Sequence, residues 1–366
     1  MRVANVVWGL VLGTGIDKYF LSLSKLEGIP SVEFCDSICI EITGKTLNRD
    51  SLLKRGISLI SIRNRRDLSW IRKLNNHIRD KHLNTVVVHG FNGAILILLL
   101  KIIYKHNFQI VCTYHGLYHA NQPLGLLLRP VFNYLMFATY KHVADKVICV
   151  DRDSYKMLLS KCIDQKKLAL IHNGIEDIAY VNSSATTKAI KEFCIITAAS
   201  LFPIKNHYLA IEALTLVKRL QPSLRWKYYV LGEGPERSKL FEHVCKRDLC
   251  EQVFFVGHVE DVDKWLEVAD VFLLTSNSEA HSIAILEAMR ASVCVVATAV
   301  GGNVDTISSN VDGILVPKGD HKHLAEVLIE LIMDPKKANQ LGTAARKKFV
   351  SSFTEKAMLR KIAESI

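Results

Sequence analysis

Ten short runs of apolar, largely β-branched residues punctuate the chain, and each is followed by a segment long enough for a helix. They fall at 5–12 (NVVWGLVL), 85–90 (TVVVHG), 109–116 (QIVCTYHG), 146–151 (KVICVD), 193–200 (FCIITAAS), 226–232 (WKYYVLG), 253–259 (VFFVGHV), 270–276 (DVFLLTS), 293–302 (VCVVATAVGG) and 313–317 (GILVP). Runs that are apolar throughout, rather than alternating, fit strands covered on both faces, and the intervening segments supply helical crossovers. The pattern pauses at the polar stretch 181–191 (VNSSATTKAIK) and restarts at 193, as expected of a linker. A chain of 366 residues exceeds what one hydrophobic core usually serves. The expectation is an α/β protein of two doubly wound, Rossmann-like domains facing a cleft, over 1–178 and 193–350, joined by a linker at 179–192. Ligands of such sheets collect beyond the carboxyl ends of the strands.

Charge is unevenly placed. Residues 1–175 hold 24 Lys and Arg against 12 Asp and Glu, a balance of +12, while the remainder holds 23 against 24. The excess is densest from Arg49 to Lys81. Three readings apply: a solvated basic face, an anionic membrane surface, or nucleic acid. No aromatic–basic interleaving accompanies the charge, so nucleic acid is not expected as a partner. The apolar stretch 124–143 (LGLLLRPVFNYLMFATYKHV) fits either a membrane-facing patch or a core helix. The run 94–100 (AILILLL) ends at Lys101, short of the roughly 20 residues a spanning helix needs, and reads as a buried helix. With no signal-peptide pattern at the start, a cytoplasmic protein is expected, peripheral on the inner face of the cell membrane. Four of the nine cysteines (Cys112, Cys149, Cys194, Cys294) lie in apolar runs and read as core residues. Neither Cys35/Cys39 nor Cys245/Cys250 has zinc-site spacing, and reduced thiols are expected.

The most informative stretch is SNSEAHSIAILEAMR, 276–290. Ser282 can cap a helix beginning near Ile283, and the free amides of 281–284 form a place for a diphosphate. Glu287 then lies roughly 7 Å along the helix, a reach that suits the ribose hydroxyls of the same nucleotide, and Glu279 precedes the helix. A solvated helix face would place two glutamates equally well. Asp151-Arg152-Asp153 has the look of a metal-binding D-x-D, but it follows a strand at a helix start, where Asp caps.

This stretch resembles the E-x7-E signature, here Glu279 and Glu287, of the retaining family-4 glycosyltransferases, a GT-B group using nucleotide-sugar donors. VVATAVGG resembles the family's next strand and its Gly301-Gly302 turn. LGEGPER matches its G-x-G-P turn at Gly232, Gly234 and Pro235, and VFFVGHVEDV matches its base-binding wall near Gly257 and His258. ALIHNGIE matches the Asn173-Gly174 element closing the first domain. The resemblance runs over nearly the whole chain. It implies donor contacts at Glu287, Ser200, Gly232, His258, Ala280, His281, Ser282 and Ile283. It makes Glu279, Lys205 and His115 the catalytic set, with His115 on the donor sugar. The Gly-rich loop and helix start at Gly13, Thr14, Gly15 and Asp17 would face phosphate and acceptor. Two departures stand out. Ser200 replaces the arginine that normally accompanies the lysine at 205, and Ala280-His281-Ser282 replaces Gly-Phe-Gly. His281 reads equally as a specificity element or as packing.

The resemblance further implies a C-terminal segment, 351–366, returning to the first domain. It also implies no metal and no cofactor, the nucleotide-sugar being a substrate. The reaction expected is retaining transfer from a UDP-sugar to a lipid-linked or oligosaccharide acceptor, in polysaccharide or O-antigen assembly. A nucleotide-sugar epimerase and a non-catalytic basic membrane- or nucleic-acid-binding protein are the alternatives. The last does not account for Glu279, Glu287 and Lys205 together.

Overall fold

The computed structural model describes residues 1–8, 15–43, 49–64, 67–104, 108–115, 123–178 and 192–366. The chain divides into two compact units, Met1–Glu176 with Glu355–Ile366, and Asp177–Thr354. The expected linker lies mostly outside the described residues.

The first unit contains β1 (Arg2–Trp8), α1 (Gly15–Leu23), β2 (Phe34–Ile42), α2 (Arg49–Lys54), β3 (Ser58–Ile62), α3 (Ser69–Asp80) and β4 (Thr85–His89). It continues through α4 (Gly90–Tyr104), β5 (Gln109–Tyr114), α5 (Pro123–His142), β6 (Lys146–Cys149), α6 (Arg152–Ser160) and β7 (Leu168–Leu170). Its sheet runs in the order β3-β2-β1-β4-β5-β6-β7, with parallel pairing throughout. The period of two sorts side chains to the two faces. Ala4, Val6, Val86, Val88, Ile110 and Cys112 share a core with Trp70, Leu74, Leu100 and Tyr140 of α3, α4 and α5. Val3, Val87, Val111 and Ile148 face the other way, onto Tyr19 and Leu23 of α1 and Met358, Leu359 and Ile362 from the chain's last helix. Both faces are therefore covered, which is why these strands read as unbroken apolar runs.

The second unit contains β8 (Phe193–Ala198), α7 (His207–Leu220), β9 (Trp226–Leu231), α8 (Arg237–Lys246), β10 (Val253–Gly257), α9 (Val262–Leu266) and β11 (Val271–Leu274). It is completed by α10 (Ile283–Arg290), β12 (Cys294–Thr298), α11 (Asn303–Thr306), β13 (Ile314–Val316), α12 (His321–Met333) and α13 (Pro335–Ser352). Its parallel sheet has the order β10-β9-β8-β11-β12-β13. The last helix, α14 (Glu355–Ser365), belongs to the first unit.

Each sheet reverses its winding once. From β1 the chain steps outward through β2 and β3, then resumes on the other side of β1 with β4. From β8 it steps outward through β9 and β10, then resumes beside β8 with β11. At such a reversal the crossovers leave in opposite directions and open a crevice at the carboxyl ends of the two central strands.

Several expectations need correcting. The strands β2, β3 and β7 are absent from the ten sequence runs, and the first run is displaced: β1 covers Arg2–Trp8, not 5–12. Cys245 and Cys250 are joined as a disulfide, against the expectation of reduced thiols. The left-handed Asp248 (φ 56°) turns the chain after α8 and brings their Cα atoms to 5.4 Å, within the range a disulfide spans. Cys112, Cys149, Cys194 and Cys294 are buried core residues. The run 94–100 lies within α4. Among the described residues no helix is long and apolar enough to cross a membrane. Asp151 caps α6, its carboxylate accepting from the Ser154 amide at 2.8 Å and the Ser154 hydroxyl at 2.6 Å.

Candidate active site

In the second unit the predicted residues gather at the carboxyl ends of the strands. After β8 the chain makes a short helical turn, Pro203–Lys205, and then Asn206 adopts a left-handed conformation (φ 47°) before α7. Asn tolerates this region better than most residues. The loop after β11 is pinned to this turn: the Asn277 amide donates to the Ile204 carbonyl at 2.8 Å, and the Thr275 hydroxyl donates to the Asn206 carbonyl at 3.0 Å. The two loops thereby bring Lys205 and Glu279 together across the β8/β11 reversal, Nζ to Oε1 at 2.5 Å. The same Oε1 accepts from the Ser276 hydroxyl at 2.6 Å.

Glu279 is further fixed through its backbone. A Cβ on Gly301 would lie 1.8 Å from the Glu279 carbonyl oxygen, and one on Gly302 would lie 1.6 Å from that of Ala280. The Gly-Gly turn after β12 therefore touches the 279–280 backbone in a way no other residue pair permits. Helix α10 begins at Ile283 as expected, with Ser282 at the N-cap position. Here the expectation of a capping serine fails, because the Ser282 hydroxyl makes no capping bond. No side chain of that residue competes for the first amides of α10, where the helix dipole favours negative charge. Glu287 is buried one turn further along.

Gly232 (φ 148°) ends β9, and a Cβ there would meet the Ala199 carbonyl at 2.1 Å, so this loop packs against the residues leaving β8. Ser200 is exposed, and its carbonyl accepts from His207 Nε2 at 3.1 Å. His258 is exposed just beyond β10. His281 is buried, its ring 5.5 Å from that of Phe353, so packing accounts for at least part of its role.

In the first unit, Gly13 and Thr14 lie outside the described residues. Gly15 opens α1, and Asp17 is buried in its first turn. His115 follows β5, where burial pushes its imidazole down to about 4. Around it sits a group that sequence reasoning missed. The rings of Tyr19 and His89 lie 5.0 and 5.9 Å from that of His115, and His89 is bonded to Asn5 at 2.6 Å. Burial, and then the nearby His115, hold His89 well below the ordinary histidine value. Ser276 was also missed. The signal available for His89 was the one that marked His115, a histidine ending an apolar run; for Ser276 it was the polar pair closing DVFLLTS.

A cavity of about 860 Å³ opens beyond the carboxyl end of β3, lined by Ser61, Arg63, Asn64, Asp67 and Lys73 among others. Lys73 donates to the Ser61 carbonyl at 2.6 Å. The amide of Arg63, with the hydroxyl and amide of Ser69, lowers the Asp67 carboxyl to about 2.

Comparison with known proteins gives a consistent result. Residues 182–348 match the family described as "Glycosyl transferases group 1" and residues 48–177 the family described as "Glycosyltransferase Family 4". The chain is 31% identical over 218 residues to the amylovoran biosynthesis glycosyltransferase AmsK of Erwinia amylovora, covering 57% of this chain and 53% of that protein. It is 23% identical over 301 residues to the O-antigen biosynthesis glycosyltransferase WclY of Escherichia coli, covering 75% of this chain and 81% of that one. The crystal structure of Anabaena Alr3699/HepE in complex with UDP superposes with a TM-score of 0.83 at 16% identity, over 100% of this chain and 99% of that one. At that identity the likeness speaks for the fold.

Proposed function

The chain belongs to the family-4 glycosyltransferases, and on that premise we propose that it moves a sugar, with retention of configuration, from a UDP-sugar to a lipid-linked glycan acceptor in surface-polysaccharide or O-antigen assembly. The observation that carries this reading is the Lys205–Glu279 pair spanning the β8/β11 reversal beside the start of α10.

The donor diphosphate rests against the first amides of α10 and Lys205, with Glu287 on the ribose. As the glycosidic bond breaks, negative charge grows on the leaving phosphate. A fixed ammonium and backbone amides already in place stabilise it there without reorganisation. Glu279 orients Lys205, and the departing phosphate assists attack by the acceptor hydroxyl on the same face of the sugar. Positive charge at the leaving group comes from the chain itself, so transfer proceeds without a metal. With Ser200 in place of an arginine, Lys205 carries more of that task. His115, held neutral, contacts sugar hydroxyls rather than phosphate.

The acceptor side draws on the first unit. Its charge excess, with Arg63 and Lys73 at the β3 cavity, favours an acceptor carrying phosphate at an anionic inner membrane face. The names of the relatives, amylovoran and O-antigen biosynthesis, support the substrate class.

The test is direct. The purified protein is offered a panel of UDP-sugars with lipid-diphosphate-linked acceptors, with and without chelator, and the product's anomeric configuration is read by NMR. An α-linked product from an α-linked donor, formed at an unchanged rate with chelator, is the expected result. An inverted product would overturn the mechanism. Sedimentation with anionic vesicles, weakened by salt, is expected as well; indifference to anionic lipid would remove the membrane assignment.

A further inference from the structure

The strand reversal in the first unit carries a buried polar group with an unusual hydrogen balance. Asn5 on β1 donates through Nδ2 to the Phe20 carbonyl at 2.9 Å and to the Ser37 hydroxyl at 2.9 Å. A backbone carbonyl can only accept, so the Asn5 amide cannot be turned around. Its Oδ1 therefore faces His89 Nε2, 2.6 Å away, and that nitrogen must carry the hydrogen. His89 in its neutral form is then left with a lone pair on Nδ1. Among the described residues that Nδ1 is buried with no hydrogen-bond partner. The same holds for His115 Nε2, while the Tyr19 and Thr113 hydroxyls lie beside each other, near enough for Thr113 to favour the Tyr19 phenolate against burial, with no other partner among the described residues. Thr113 lies directly across from His89 in the β4–β5 register, and in parallel strands register partners share a face. The rings of Tyr19, His89 and His115 are mutually within 6 Å. Two unpaired ring nitrogens beside two hydroxyls that have only each other are rare in a folded interior, where nearly all such atoms are paired.

We infer that His89 is a positioning residue for His115: locked by Asn5 with its hydrogen on Nε2, it presents Nδ1 as the one fixed acceptor around which Tyr19, Thr113 and His115 order their hydrogens when a hydroxylated ligand arrives. Tyr19 and Thr113 can each donate or accept, and neutral His115 can do either through Nε2, so alone they leave the direction of the network undecided. Asn5 decides it from 84 residues away in sequence. The inference rests on the transferase reading for its consequence, the handling of sugar hydroxyls, but the tautomer it requires is independent of any activity.

Two measurements test it. Two-bond proton–nitrogen spectra of the histidine-labelled wild-type protein at pH 7 should show His89 neutral with its hydrogen on Nε2. A hydrogen on Nδ1, or an imidazolium, overturns the inference with no variant needed. Next, the kinetics of His89→Gln and His89→Asn are compared. Glutamine keeps the nitrogen that meets Asn5 but loses the acceptor at the Nδ1 position; asparagine keeps an acceptor there but loses the bond to Asn5. Positioning predicts that kcat falls about 10-fold further in His89→Gln than in His89→Asn, with the donor KM moved less than threefold and the His115 nitrogen signals displaced in His89→Gln. A merely structural role gives the opposite order, and equal or reversed kcat values overturn the inference. Sugar transfer absent from the wild type would sink the functional reading instead, and would leave the tautomer result to stand or fall by itself.

Discussion

The two units place their chemistry at the same topological point and furnish it in opposite ways. At the β8/β11 reversal an ammonium and a carboxylate face each other, with a serine hydroxyl on the carboxylate. At the β1/β4 reversal the pair is an amide and a neutral imidazole, extended by a phenol, a hydroxyl and a second neutral imidazole. The doubly wound sheet supplies only the location; the side chains at the strand ends select what is bound. A charged pair suits a diphosphate whose charge grows during reaction. A buried neutral cluster suits hydroxyls and would reject an anion, since charge without a partner is expensive there. The surroundings differ too. Around Glu279 the backbone is clamped by Gly301 and Gly302, whereas Gly90, which follows His89 at φ 62°, has nothing within 4 Å of its missing Cβ.

The contrast can be attacked at either end. Lys205→Ala should have the largest effect, lowering kcat by about 10²–10³-fold, as loss of one preorganised charge-stabilising donor does; steady-state kinetics with saturating donor check it. Turnover within threefold of wild type would erase the distinction between the charged and neutral ends. Gly302→Val should destabilise by about 3 kcal/mol or more, a severe change attributable to steric strain, because its Cβ would overlap the Ala280 carbonyl; urea unfolding measures it.

The neutral end should reveal itself through pH. The rings of His89 and His115 stay neutral in the folded protein down to about pH 4 for His115, while unfolded histidine titrates near 6.5. The unfolded chain therefore takes up protons first as pH falls. The stability due to neutral burial is complete above pH 6.5 and is lost progressively from there toward 4, by at most about 1.4 kcal/mol per pH unit for each ring. Urea unfolding of wild type and His115→Gln from pH 7 to 4.5 should show a shallower slope in the variant. The smallest effect is expected for Gly90→Asn, about 1 kcal/mol, since asparagine tolerates positive φ and the space around it is open.

What the sequence made legible follows from how far apart the partners lie. Apolar strands such as 146–149 and 294–298 reveal themselves locally, as does the aspartate cap at Asp151. Strand β2 did not, because Asp36, Ser37 and Glu41 interrupt it. Those groups are buried and tolerable only through distant partners: His77, Lys81 and Ser58 on Asp36, and Arg49 and Ser61 on Glu41. Bonds to these partners hold the Asp36 carboxyl below its usual range against the opposing effect of burial. Lys205 and Glu279 could be named together only through the family's pattern, since 74 residues separate them. His89 stood one residue before a glycine at the end of an apolar run and looked ordinary. Its significance depends on Asn5 in another strand, and on a carbonyl in α1 that orients Asn5. The free N-cap of α10 was equally invisible, because serine at that position ordinarily caps.

The placement of α14 has a consequence for how this chain comes to be folded. Met358, Leu359 and Ile362 complete the core beneath Tyr19, Val87 and Val111, Gly174 N–H meets the Met358 sulfur, and Lys25 reaches Glu355 at 2.9 Å. The second unit is thus an insertion in the first. During synthesis all seven strands of the first sheet emerge before the second unit, but the face that α1 covers gains Met358, Leu359 and Ile362 only after that unit has been made. Tyr19 of the neutral cluster, encoded before the charged site, thus packs against a helix encoded after it.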